Sequence, residues 1–115
     1  MSQPLAQLLS IVVEVAVAAG LVMLCGWGSA RRVALVAAIC TLASHPFAWW
    51  AIQHLAGPMG YALAVLVIEA AVVLAETVVY RWAVPLPGWR ALAVAFVANL
   101  VSTAVGLAIY ALRLA

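Results

Sequence analysis

Four stretches of about 20 apolar residues, parted by breaks too short to hold a domain, constrain this chain more than any other feature of its sequence. They cover roughly residues 5–26, 33–55, 61–83 and 89–112. A helix needs about 20 apolar residues to cross the ~30 Å hydrocarbon layer, so each run is long enough for one crossing. The breaks carry the residues that end helices: Gly26-Trp27-Gly28-Ser29, Gly57-Pro58-Met59-Gly60 and Pro85-Leu86-Pro87-Gly88. Turns this short force consecutive helices to run antiparallel. The expectation is an all-α polytopic membrane protein, a single transmembrane domain over 1–115 folded as an antiparallel four-helix bundle.

Composition points to lipid as the solvent, with 70% hydrophobic and 7% charged residues and a mean hydropathy of +1.28. There is no Lys and no Asp. Arg31, Arg32, Arg81, Arg90 and Arg113 all border apolar runs, where a guanidinium reaches headgroups and water. Glu14, Glu69 and Glu76 all lie inside them, where a carboxylate is costly. No loop is long enough for a basic, water-facing patch, which sets nucleic acid aside as a partner. Gly28-Ser29-Ala30 has the small-x-small look of a signal-peptide cleavage site, but the apolar stretch before it holds a Glu, lacks a basic start and is followed by two arginines. Cys25 and Cys40 show no metal or redox spacing and are read as small buried hydrophobes.

Loops 27–32 and 84–88 and their flanks hold four arginines against Arg113 alone on the opposite side. By the positive-inside rule those loops are cytoplasmic and both termini lie outside, in a bacterial-type inner membrane. Trp27, Trp49, Trp50, Tyr61, Tyr80, Trp82, Trp89 and Tyr110 fall mostly toward run ends, the place of headgroup-level aromatic belts.

A faint internal repeat is present. A shift of 58 residues lays Arg32–Pro46 over Arg90–Ala104, matching Arg32 with Arg90, Ser44 with Ser102, Thr41 with Asn99 and His45 with Thr103. Glu14 reaches Glu69 if the second turn is three residues longer. Such a repeat pairs two helical hairpins in parallel, about an axis along the membrane normal.

At about 1.5 Å of rise per residue, Glu14, His45, Glu69 and Asn99 reach similar depths near the middle of the bilayer, one from each helix. Turned inward, they form a proton- or cation-binding cluster in which His45 stands between two carboxyls and Asn99 supplies a neutral donor and acceptor. Ser10, Thr41, Ser44, Ser102 and Thr103 share their helical faces, and Glu76 and Tyr80 extend the stripe of helix 3 inward as a polar path. Glu76 is also close enough in sequence to Arg81 for a structural ion pair. Pro46 has no N–H, which leaves the Leu42 carbonyl without its helical partner and in need of another. His54 and Gln53 are expected to be solvated at the outer end.

No soluble catalytic motif occurs: the chain has no H-E-x-x-H, G-x-S-x-G, P-loop or G-x-G-x-x-G, and no catalytic residue or organic cofactor is assigned. In size, helix count and the Glu14 of helix 1, the chain is similar to the small multidrug resistance family of proton-coupled cation exporters. It departs from that pattern in the acids of helix 3, the His45-Pro46 of helix 2 and the one-sided arginines, so membership does not follow. Three readings fit these residues: a protein that binds or relays a proton or small cation in transport, a noncatalytic accessory subunit of a larger membrane complex, and an intramembrane metal enzyme using His45 and the two glutamates. The partners expected are the lipid bilayer and either further copies of the chain or another membrane protein.

Overall fold

The structure is a computed structural model that describes residues 2–114, with side chains through residue 112. It is 91% helical, without strands among the described residues, and each of its four helices is long and apolar enough to span a membrane. They run as α1 (Gln3–Cys25), α2 (Ala30–Met59), α3 (Tyr61–Ala83) and α4 (Gly88–Leu114). Each packs on two neighbours in the ring α1-α2-α3-α4, and among the described residues the backbones of the diagonal pairs do not approach closely. The molecule measures 40 × 26 × 19 Å, its long axis close to one bilayer thickness.

Local chemistry sets the helix ends. Ser2 caps α1, its hydroxyl accepting the Leu5 N–H at 3.3 Å, and Ser29 caps α2 by accepting the Arg32 N–H at 3.2 Å. Between them Gly26, at φ 66°, takes the left-handed conformation that closes α1. The Trp27 N–H then returns to the Val22 carbonyl and the Gly26 N–H to that of Met23, in a Schellman arrangement. The four-residue turn is thus hydrogen-bonded at both ends.

The break expected over 57–60 is a single residue. Helix α2 continues through Pro58 to Met59, and Gly60, at φ 87°, reverses the chain alone while its N–H bonds the Ala56 carbonyl at 2.8 Å. A proline in the last turn removes one backbone hydrogen bond at a helix end and leaves the preceding turns intact.

The end of the bundle that holds the two four-residue turns is packed solid. Ala18, Val22, Val33, Ala37, Val73, Tyr80, Val84, Leu86, Ala91, Val94, Ala95 and Ala98 form one buried cluster there. Its many alanines let the helices approach closely, as small residues do where no hydrophobic effect drives association. Tyr80 is buried in this cluster rather than placed at headgroup level. Cys25, expected inside, is exposed, because the last residue of α1 extends past the core, and Cys40 is partly buried. Above the core end, Trp27 and Trp89 meet edge to face at 5.3 Å, and the Arg90 guanidinium lies 5.5 and 5.2 Å from their rings. This contact ties one turn to the other.

Helix α2 also runs unbroken through Pro46, and the Leu42 carbonyl that Pro46 frees is taken by Gln7 Nε2 of α1 at 3.2 Å. Gln7 in turn accepts from Gln3 at 3.0 Å. The interhelical amide replaces the missing helical N–H, so its loss should matter only while the proline is present. Gln7→Leu is expected to destabilise the protein by about 0.5–1.5 kcal/mol, and by much less in a Pro46→Ala background, where the residue 46 N–H is restored. Unfolding of the two single variants and the double variant in mild detergent measures the coupling.

Candidate functional site

The other half of the bundle, toward the termini and the α2–α3 turn, encloses a cavity of about 360 Å³. All four helices line it. From α1 come Ser10 and Glu14; from α2 Thr41, Ser44, His45, Trp49 and Gln53; from α3 Tyr61 and Glu69; from α4 Asn99, Ser102, Thr103 and Tyr110, with small and aliphatic residues between them. Trp49, Tyr61 and Tyr110 therefore form part of its wall and rim. Nothing in the sequence distinguished them from interfacial aromatics, since both roles place a ring near a helix end.

The repeat accounts for the symmetry of these walls. Helices α1 and α3 each have 23 residues, and the turns 26–29 and 84–87 are equal in length, so the 58-residue shift carries hairpin onto hairpin without a gap. Thr41, Ser44, His45, Ala48, Trp49 and Ile52 on α2 have their counterparts in Asn99, Ser102, Thr103, Gly106, Leu107 and Tyr110 on α4, and all twelve face the cavity. The three-residue allowance that laid Glu14 over Glu69 is not present. Glu14 corresponds to Val72, which also lines the cavity.

The three acids consequently stand at successive levels. Glu69 and Glu76 are seven residues apart, about 10 Å along α3, and the α1 position of Glu14 corresponds to one between them. Among the described residues the buried polar ones are Glu14, Thr41, Glu76 and Asn99, 2–5% exposed. They form two pairs, one in each hairpin. The Thr41 hydroxyl donates to Glu14 Oε2 from α2 to α1, and Asn99 Nδ2 donates to Glu76 Oε2 at 2.6 Å from α4 to α3. Asn99 Nδ2 also donates to the Ala95 carbonyl at 2.7 Å.

All four residues of the expected cluster reach the cavity, but no Glu-His-Glu arrangement forms. His45 Nδ1 instead lies 3.4 Å from Gln3 Nε2, nearer the termini. Glu69 is partly exposed, with the Thr103 hydroxyl beside its carboxyl. Glu69, Asn99 and Thr103 also back a second, apolar groove of about 400 Å³ between α3 and α4, walled by Leu66, Leu74, Phe96 and Leu100. Glu69 thus stands on the seam between the polar cavity and a lateral opening.

The inner part of the expected path does not continue the cavity. Glu76 lies below Asn99 with Oε1 unpartnered, and Tyr80 belongs to the packed core. The Glu76–Arg81 ion pair does not form, because five residues of helix turn the two side chains well apart around α3. Glu76 points into the bundle, whereas Arg81 is exposed and donates to the Leu86 carbonyl at 3.3 Å. His54 is exposed, its Nδ1 bonded to the Trp50 carbonyl at 2.8 Å, while Gln53 reaches the cavity wall. Among the described residues no three His, Cys, Asp or Glu side chains converge as a metal-ligating group.

Fold and site together define a small four-helix membrane protein with a polar, acid-lined cavity open toward one end. No protein family model matches the chain, and no curated protein or solved structure matches it.

Asn99 holds the only hydrogen bond to the Glu76 carboxyl among the described residues. Asn99→Leu is expected to cost about 1–3 kcal/mol of stability by leaving that carboxyl wholly unpaired. Pairing it with Glu76→Leu should recover much of the loss, since two apolar side chains replace a broken polar pair. Thermal unfolding of the detergent-solubilised variants reads both effects.

Proposed function

We propose that this protein binds a proton or a small cation within the membrane and exchanges one for the other in transport. One observation carries the reading: the cavity leads from the end of the bundle to Glu14 and Glu69, while Arg31, Arg32, Arg81 and Arg90 all belong to the opposite end. An ionised carboxylate at the bilayer centre costs at least about 2.5–3.5 kcal/mol on insertion scales, and three neighbouring carboxyls repel one another as well. Among the described residues the carboxyls have hydroxyl and amide partners and no arginine, so neutralisation comes from a proton or from a cation entering the cavity. The two compete for the same oxygens, and competition at one site is the minimal chemistry of exchange.

In this reading Glu14 is the principal site, Glu69 the site at the lateral seam, and Asn99 the floor that holds Glu76 beneath. His45, with Gln3, sits on the entry side. The arginine end is placed in the cytoplasm, so the cavity opens outward in the state described here. The protein then needs a second state that opens inward, which a lone small bundle achieves most readily as an oligomer or with a membrane partner.

The apolar α3–α4 groove favours a second reading, an accessory subunit that docks a helix of a larger complex. Flux measurements separate the two. In proteoliposomes carrying a pH gradient, the wild type is expected to move protons against a small cation. Glu14→Gln and Glu69→Gln should each lower that exchange by at least about tenfold, with His54→Ala near wild type. Proton movement unchanged in both glutamine variants removes the transport reading. Loss of co-purification with a partner on replacing Leu74 and Phe96, with no flux in the wild type, supports the accessory role.

A further inference from the structure

The proposed transport reading leaves the kind of cation open, and the inventory of donors and acceptors at the cavity floor narrows it. Thr41 has one hydroxyl proton, and it is committed to Glu14 Oε2. Among the described residues Glu14 Oε1 has no donor, on a side chain only 5% exposed that lines the cavity. The Asn99 amide is oriented by its surroundings: Nδ2 faces two acceptors, Glu76 Oε2 and the Ala95 carbonyl, and turning it over would set three oxygens against one another. Its Oδ1 therefore remains as an acceptor, again on a residue only 5% exposed that lines the cavity. Glu69 supplies a third acceptor from α3. Three helices thus present acceptors, and the Thr41 hydroxyl and Asn99 amide donors beside two of them are already used.

We propose that the cation is a primary ammonium group carried on an apolar body, seated with its nitrogen at Glu14, Asn99 and Glu69. An –NH3+ group brings three donors to three acceptors, two at the floor and Glu69 at the seam. A quaternary ammonium carries the same charge without a donor and would leave Glu14 Oε1 and Asn99 Oδ1 desolvated and unpaired. A zwitterionic amino acid would bring its own carboxylate into a chamber that already holds carboxyl groups. The walls suit the rest of the molecule: Ile52, Val65, Val72 and Leu107 are aliphatic, and Trp49, Tyr61 and Tyr110 add aromatic faces. A cavity of about 360 Å³ is at the small end of ligand pockets, enough for a short alkyl or single-ring body. The α3–α4 groove behind Glu69 gives a longer tail an exit toward lipid.

The test is calorimetric titration of the full chain in lipid nanodiscs with 2-phenylethylammonium, its N,N,N-trimethyl counterpart and phenylalanine. The primary amine is expected to bind, the trimethyl compound at least about tenfold more weakly, and phenylalanine not measurably. Glu14→Gln should weaken the primary amine by at least about tenfold, and if that variant fails to fold the ranking of the three ligands on the wild type decides alone. Equal or tighter binding of the trimethyl compound overturns the inference. So does absence of amine binding in a protein that still shows Glu14-dependent proton exchange, and that outcome leaves the transport reading standing. Absence of both amine binding and proton exchange overturns both.

Discussion

Inside a bilayer no water is at hand to satisfy a polar group, and this constraint governs every part of the bundle that is not hydrocarbon. Three departures from a plain apolar helix are met by partners on a neighbouring one. Pro46 frees a carbonyl, and Gln7 covers it. Glu14 takes the Thr41 hydroxyl and Glu76 takes the Asn99 amide. These contacts fasten α1 to α2 and α3 to α4, so satisfying polar groups also builds the two hairpins. The groups that keep a free oxygen are then informative. Glu14 keeps one against the cavity and Glu76 keeps one beneath the floor.

Four spans, their antiparallel order and the clustering of arginines at one end were legible because each rests on a local signal: run length, turn residues and charge position. That Glu14, His45, Glu69 and Asn99 all border one cavity follows from their inward-facing stripes, but their common depth does not hold: His45 lies nearer the termini, beside Gln3, and the acids stand at successive levels. Rotation and pairing were not legible. Thr41 and Asn99, as partners of particular carboxyls, depend on how helices turn about their own axes when packed, and mean helical spacing does not fix that. The break at 57–60 misled for a related reason. Gly-Pro reads as a chain reversal in water, whereas next to a left-handed Gly60 the last turn of α2 can hold the proline and lose one hydrogen bond. Glu76 misled through distance in sequence alone, for a neighbour five residues on lies on another face of the helix.

The repeat is stronger in the structure than in the letters. Few identities survive the 58-residue shift, yet six positions of α2 and their six counterparts on α4 all face one cavity. Packing constrains which face of a helix turns inward more tightly than it constrains which small or aliphatic residue stands there. Against this two-fold frame the acids are asymmetric. The counterparts of Glu14, Glu69 and Glu76 are Val72, Ile11 and Ala18. A symmetric chamber thus carries a lopsided charge, weighted to α3 and its seam with α4, and a cationic ligand would sit off the axis, toward Glu69 and the lateral groove.

A parallel repeat also limits how such a chamber could change sides. Inverted repeats generate the opposite-facing state when their halves exchange conformations, but an axis along the membrane normal maps each face onto itself. For the proposed exchange, the inward-open state must come from movement of one hairpin against the other. The polar pairs lie within hairpins and would travel with them. The Trp27, Trp89 and Arg90 contact crosses from one hairpin to the other at the arginine end, directly over the alanine-rich core that closes the cavity below. Such a movement would have to break it and to slide α1 on α4 and α2 on α3, where small residues such as Ala18, Ala48, Ala51 and Ala95 face the seam.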